Sequence, residues 1–376
     1  MTVAGEATMV FNPSRLALAR RRRGLTKREL AEAAQLSERS IVAYESGATV
    51  PTDATVEQLA RALAFPVAFL HRADVDAIPE GSASFRSMAR MTAAQRDRAL
   101  AGGALALELT AWTEARFGLP PADVPDLRHC KDPEAAAGAL RQHWRLGDGP
   151  ITHMVRLIEA KGVRVFSLAE QCRELDAFSF WRAGTPFVFL NTMKSAERGR
   201  FDAAHELAHL AMHRHGEPNG REAEREADAF ASAFLMPRSG VLAGAPRVPS
   251  LERLTRLKRQ WNVALSAYAH RLHDIGVLSD WHYRRLVIEI QQRGFRRAEP
   301  DGGPREMSLV FEKVFDSLRK EKVSRADVAR ELDWPLAELN ALVFGLVMTA
   351  GSGGAKDSRA PSSRGGSTLH LVGGGE

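Results

Sequence analysis

Two histidines four residues apart, in His205-Glu206-Leu207-Ala208-His209, constrain this chain more than any other feature. In an α-helix, residues i and i+4 stand one turn apart on the same face, so both imidazoles can reach one ion. The flanking sequence is apolar along Phe201, Ala204, Ala208 and Met212, which sets the histidines on the border of a buried stripe. Glu206 follows the first histidine directly and is rotated off the axis the two rings share. There a carboxylate is suited to act as a base on a water rather than as a ligand. A chance His-Glu-x-x-His in a solvated helix is the competing reading, and the apolar stripe argues against it.

A catalytic zinc site takes three protein ligands and leaves one position open. His213 continues the i+4 series, but it lies about 12 Å from His205 along the axis at roughly 1.5 Å per residue. With zinc–nitrogen bonds of about 2.1 Å, one ion cannot bind both, so His213 is not expected as a ligand. The next helical segment offers Glu222, Glu224, Glu226 and Asp228 around an apolar face of Ala223, Ala227, Phe230 and Phe234. Helical geometry puts Glu224 and Asp228 on one flank of that face and Glu222 and Glu226 on the other. Spacing alone does not choose between the flanks.

The N-terminal region carries a different pattern. Residues 14–70 read as five short helices, the first capped by Ser14 and stopped at Gly24 after the basic run Arg20–Arg23. Thr26 and Glu29 form a capping box on the second helix, Ser37 caps the third, and Gly47 ends it. The second and third helices, joined by Gln35-Leu36-Ser37, make a helix-turn-helix pattern whose second helix enters the major groove. Glu38, Arg39, Ser40, Val42 and Ala43 are its outward positions, with Arg39 suited to bidentate pairing with guanine. Lys27, Arg28 and the Arg20–Arg23 run are expected on phosphates. A protein-binding helical module with solvated charges is the alternative.

Between and beyond these segments, residues 92–117 read as one long helix, and 153–160 as another. Strands are expected over 163–168, 177–181 and 186–190. Helices follow over 198–213 and 222–235, three more over 251–292, and a helical block over 308–346. The segments 252–274 and 324–346 each resemble a second helix-turn-helix, for which packing is the preferred role. His129-Cys130 has no companion pair at ligand spacing. The formal net charge of +6 is compatible with a polyanionic partner. Two cysteines, Cys130 and Cys172, far apart in the chain, give no disulfide scaffold. With no leader pattern and no apolar run of about 18 residues, a cytoplasmic location without membrane contact is expected.

Two resemblances add to this reading. Leu25–Ala31 and Ser37–Gly47 resemble the XRE/Cro-repressor family, which often has Gln at the position of Lys27. Phe201–His213 (FDAAHELAHLAMH) followed by Glu224–Pro237 (EREADAFASAFLMP) resembles the ImmA/IrrE metallopeptidases. In that family the glutamate of a Glu-Ala-Asn/Asp-x-Phe-Ala motif is the third zinc ligand, which here implies Glu226 beside His205 and His209, with Glu206 as catalytic base. Together the resemblances span residues 14–70 and about 141–346. They imply a mainly α chain: a five-helix DNA-binding domain (1–75), a helical linker (76–125), an α+β zincin-like domain with a small sheet (126–300), a C-terminal helical extension (301–350) and a Gly/Ser-rich disordered tail (351–376).

The function implied is a DNA-binding transcriptional regulator with a Zn²⁺-dependent endopeptidase domain. Its partners would be a double-stranded operator and a regulatory protein substrate such as a repressor. A homodimer is the natural arrangement for reading two half-sites. The alternative is a transcription factor whose metallopeptidase-like domain senses metal or a small ligand without cutting.

Overall fold

Helices with explicit caps open the chain. The computed structural model describes residues 10–76, 78, 92–168, 176–213, 220–246, 248–295, 298–343 and 345–347. Helix α1 (Pro13–Arg23) starts one residue before the expected cap. Asn12 accepts from the Ser14 amide, Pro13 takes the first turn, where its missing N–H costs nothing, and Gly24 closes the helix in the left-handed conformation. Helix α2 (Lys27–Ala33) has the Thr26–Glu29 capping box, and α3 (Glu38–Glu45) is capped by Ser37. Between them Gln35 turns the chain with φ 55°. Helix α4 (Asp53–Leu63) and a 3₁₀ turn (Val67–His71) complete the five-element unit around Leu16, Leu30, Ile41, Leu59, Leu63 and Phe69.

Helix α5 (Ala93–Glu114) follows, with Ala99, Ala101, Gly102, Gly103, Ala104 and Ala106 all buried. These small side chains let it run against α1 on one side and the sheet on the other. A Cβ at Gly103 would meet Ile78 Cδ1 at 2.3 Å and Phe189 at 3.8 Å. Residues 93–114, within the segment expected as a linker, therefore form a core helix.

Helices α6 (Pro133–His143) and α7 (Met154–Ala160) lead into strands β1 (Arg164–Ser167), β2 (Ala177–Arg182) and β3 (Thr185–Leu190). Helix α6 is absent from the sequence-based expectation. The sheet order is β1-β3-β2, with β1 parallel and β2 antiparallel to β3. Ala183 and Gly184, both at positive φ, form the two-residue hairpin turn between β2 and β3.

Strand alternation gives the sheet two unlike faces. Phe166, Phe178, Phe180, Phe187 and Phe189 share one apolar core with the N-terminal unit, α5 and the C-terminal helices. Val165, Ala177, Val188 and Leu190 point into a second core. That second core is built from α8 (Ala196–Met212), α9 (Arg221–Leu235), α11 (Leu251–Trp261), α12 (Leu265–Asp274) and α13 (Asp280–Gln292), with the unpredicted short α10 (Arg238–Ala243) after Pro237.

The C-terminal helices α14 (Leu309–Lys320), α15 (Arg325–Glu331) and α16 (Leu336–Val343) connect both halves. Glu159 of α7 accepts from the Ser308 hydroxyl and from the amides of Leu309 (2.8 Å) and Val310 (3.3 Å), capping α14 from another helix. Glu338 of α16 accepts from Arg22 Nε at 2.5 Å and from Arg23 Nη1. The expectation that the Arg20–Arg23 run contacts phosphates is thereby corrected. Arg20 holds Glu45 and the Leu25 carbonyl, Arg22 and Arg23 hold Glu338, and only Arg21 of the four is exposed. Buried Lys258, Arg271, Glu338 and Leu339 likewise put 252–274 and 324–346 to use in packing. No helix among the described residues is long and apolar enough to cross a membrane. The Gly/Ser-rich tail expected as disordered lies outside the described residues.

Candidate metal centre and DNA-reading face

Helix α8 is capped by Ser195 and buries Ala203, Ala204, Leu207, Ala208 and Ala211, which fixes its rotation. His205 and His209 then stand together with their Nε2 atoms 3.2 Å apart. Glu224 of α9 completes the group, its Oε1 3.6 Å from His209 Nε2 and its Oε2 3.8 Å from His205 Nε2. Two donors each about 2.1 Å from one ion at a tetrahedral angle lie about 3.4 Å apart. One ligand atom from each of the three residues falls within 4.8 Å of the other two, a grouping that can close on a shared ion. Two imidazoles and one carboxylate are also the donor types that zinc takes. Among the described residues no other cluster of histidine, cysteine and carboxylate groups converges in this way.

The ligand set implied by the resemblance is corrected at one position. Glu226 is turned to His213, with 2.9 Å between Oε2 and Nε2, while Glu224 takes the place beside the histidines. The reason is the rotation of α9. Ala227, Phe230 and Phe234 are fully buried, and this brings the flank of Glu224 and Asp228, rather than that of Glu222 and Glu226, toward His205.

Further groups set the orientation of the site. Asp228 Oδ1 lies 2.9 Å from His205 Nδ1, leaving Nε2 of that ring for the ion. Burial opposes protonation of His205. Its bond to Asp228 and the charges of Glu206, Asp228 and Glu224 outweigh that and hold its pKa above the ordinary value. Burial carries His209 well below the ordinary range, helped by His205 and His213, so that ring is neutral, as a ligand must be. Glu206 is buried on the sheet side, where Ser179 Oγ donates to its Oε2 at 2.6 Å. Ser179 sits opposite Val188 on the face of the sheet that meets α8. Sequence reasoning missed it, and the single polar residue inside the apolar run of β2 was the available signal.

On the N-terminal unit, Glu38, Arg39 and Val42 are exposed along α3, while Ser40 and Ala43 are half-buried. Among the described residues Arg39 has no ion-pair partner. Lys27 Nζ lies 3.6 Å from Glu45, which Arg20 also holds. Arg28 pairs with Glu32 across an exposed helical turn, an ion pair weak enough to exchange for phosphate.

The chain thus joins a helix-turn-helix unit to a domain with a two-histidine, one-carboxylate centre, which is the make-up of a regulator with a protease-like part. Residues 14–72 match the model of a helix-turn-helix domain, and residues 158–273 match that of the IrrE N-terminal-like domain of the M78 peptidases. The two matches fit a fusion of an XRE-type helix-turn-helix domain with an ImmA/IrrE-type metallopeptidase-like domain. No curated protein matches the chain.

Proposed function

We propose that the protein is a DNA-binding transcriptional regulator whose IrrE-like domain is a zinc-dependent endopeptidase acting on a regulatory protein such as a repressor. The observation that carries this reading is the convergence of His205, His209 and Glu224, with the carboxylate of Glu206 on the same helix. Zinc, when held there, supplies a Lewis acid for the scissile carbonyl and acidifies water. His205 and His209 would hold it through Nε2 and Glu224 through its carboxylate. Asp228 keeps the His205 ring from turning. Glu206 acts as general base, accepting a proton from the attacking water and delivering it to the departing amine nitrogen. Ser179 fixes the carboxylate of Glu206 for that transfer. Arg39 reads a base edge, Lys27 and Arg28 meet phosphates, and Glu38, Ser40, Val42 and Ala43 complete the surface of the reading helix. A homodimer reads two half-sites.

Metal content by elemental mass spectrometry, paired with a search for new protein N-termini in cells, tests the proposal. Wild type should carry about one zinc per chain, with His205→Ala and Glu224→Ala carrying none. Glu206→Gln should retain zinc and operator binding but produce no new N-termini. New N-termini in equal number from Glu206→Gln would overturn the base assignment, and a wild type unable to bind zinc would overturn the enzyme reading.

A further inference from the structure

His213, held by Glu226, is inferred to be a positioning residue for the metal ligand His209. The inference rests on the metal-centre reading above and assigns a role to two residues that this reading leaves idle. His213 Nδ1 lies 3.0 Å from His209 Nδ1, and His213 Nε2 lies 2.9 Å from Glu226 Oε2. The His213 side chain is 12% exposed and that of Glu226 32%, so the chain of contacts runs from the buried centre to its rim.

With an ion on His209 Nε2, the donors and acceptors along this chain fall in one order. His209 faces His205 and Glu224 with Nε2, so a neutral His209 carries its proton on Nδ1. That proton can only be donated to His213, whose Nδ1 must then accept. His213 in turn carries its proton on Nε2 and donates it to the Glu226 carboxylate. Each contact then has one donor and one acceptor. A neutral imidazole is a weak holder by itself because it can flip and present N–H to N–H. The carboxylate of Glu226 prevents the flip, since only Nε2–H satisfies it. His205 is served by a carboxylate directly, through Asp228. His209 is served at one remove.

The test measures zinc dissociation constants by chelator competition, and Co²⁺ absorption spectra, on the full-length chain. His213→Ala should weaken zinc about 10- to 100-fold and alter the Co²⁺ spectrum, the range found when partners of ligand histidines are removed. His213→Asn, which places a carbonyl oxygen where Nδ1 stands, should recover most of the affinity and the wild-type spectrum. Glu226→Ala should weaken zinc in the native chain but have little effect in the His213→Asn background. If His213→Ala does not fold, these last two comparisons still decide the matter.

Unchanged affinity and spectrum in His213→Ala would overturn the inference. So would an equal loss from Glu226→Ala in both backgrounds, because Glu226 would then act on the metal itself. Failure of the underlying reading looks different: His205→Ala and Glu224→Ala would bind zinc as tightly as wild type, and the role of His213 would fall with it.

Discussion

Removing Glu338 isolates a charge that the fold has enclosed. The side chains of Arg22 and Glu338 are each 5% exposed, and their Nε–Oε2 contact is 2.5 Å. Arg23 shares the same carboxylate but also donates to the carbonyls of Leu63 (2.6 Å) and Ala64 (3.1 Å) and lies over the ring of Phe65. Arg22 has no such reserve: among the described residues Glu338 is the acceptor it uses. Glu338→Ala therefore leaves a buried guanidinium without a counter-charge, a change that costs about 3–5 kcal/mol. Urea unfolding followed by tryptophan fluorescence should show the loss, because buried Trp334 lies four residues before Glu338. Replacing both partners by apolar residues, Arg22→Met with Glu338→Leu, should return most of the stability, since the desolvation cost of both charges disappears with them. A loss below about 1 kcal/mol in Glu338→Ala is the range of an exposed pair, and it would refute the reading of Arg22 as an enclosed charge that depends on Glu338.

Three further predictions follow from single contacts. Ser179→Ala removes a hydrogen bond to a buried carboxylate, so proteolytic kcat should fall about tenfold or more while metal content stays constant; unchanged kcat would remove Ser179 from the site. Arg39→Ala should relax sequence preference at one base pair by about 1–3 kcal/mol, whereas Lys27→Ala should weaken binding to all sequences and reduce the salt slope by about one; quantitative DNA binding at several salt concentrations separates the two. Asp327 is held down to about 2 by Ser324, through its hydroxyl and amide, and by Arg330. Its folded-state pKa is depressed, so its contribution to stability is present above the ordinary carboxylate range and is lost as pH falls through about 2. Carboxyl-detected NMR titration should place it there, and Ser324→Ala should move it up.

What could be read from the sequence tracked what is local. Caps such as Thr26 and Ser37 and the period of Phe201–Met212 act within one turn, so the helix-turn-helix and the histidine pair were legible. The third donor was not, because choosing Glu224 over Glu226 requires the rotation of α9 against α8. That rotation is set by where Phe230 and Phe234 find space, and motif resemblance pointed to the wrong flank. The arginine run looked like a phosphate-binding surface because the acceptor of Arg22, Glu338, is 316 residues away. Ser179 acquires meaning only once strand alternation faces it toward Glu206. Helix α6 was missed because Ala135-Ala136-Ala137-Gly138 gives little amphipathic signal behind Pro133.

The link between α1 and α16 also sets a schedule. During synthesis Arg22 leaves the ribosome 316 residues ahead of Glu338. At about 5–20 residues per second that interval is roughly 15–60 s. Throughout it Arg22 and Arg23 lack the carboxylate that pairs with them in the finished molecule, so an incomplete chain presents nucleic acid with a more basic surface than the mature protein does. Completion of the last helices withdraws that charge, leaving Arg39 and its neighbours on α3 as the face on offer.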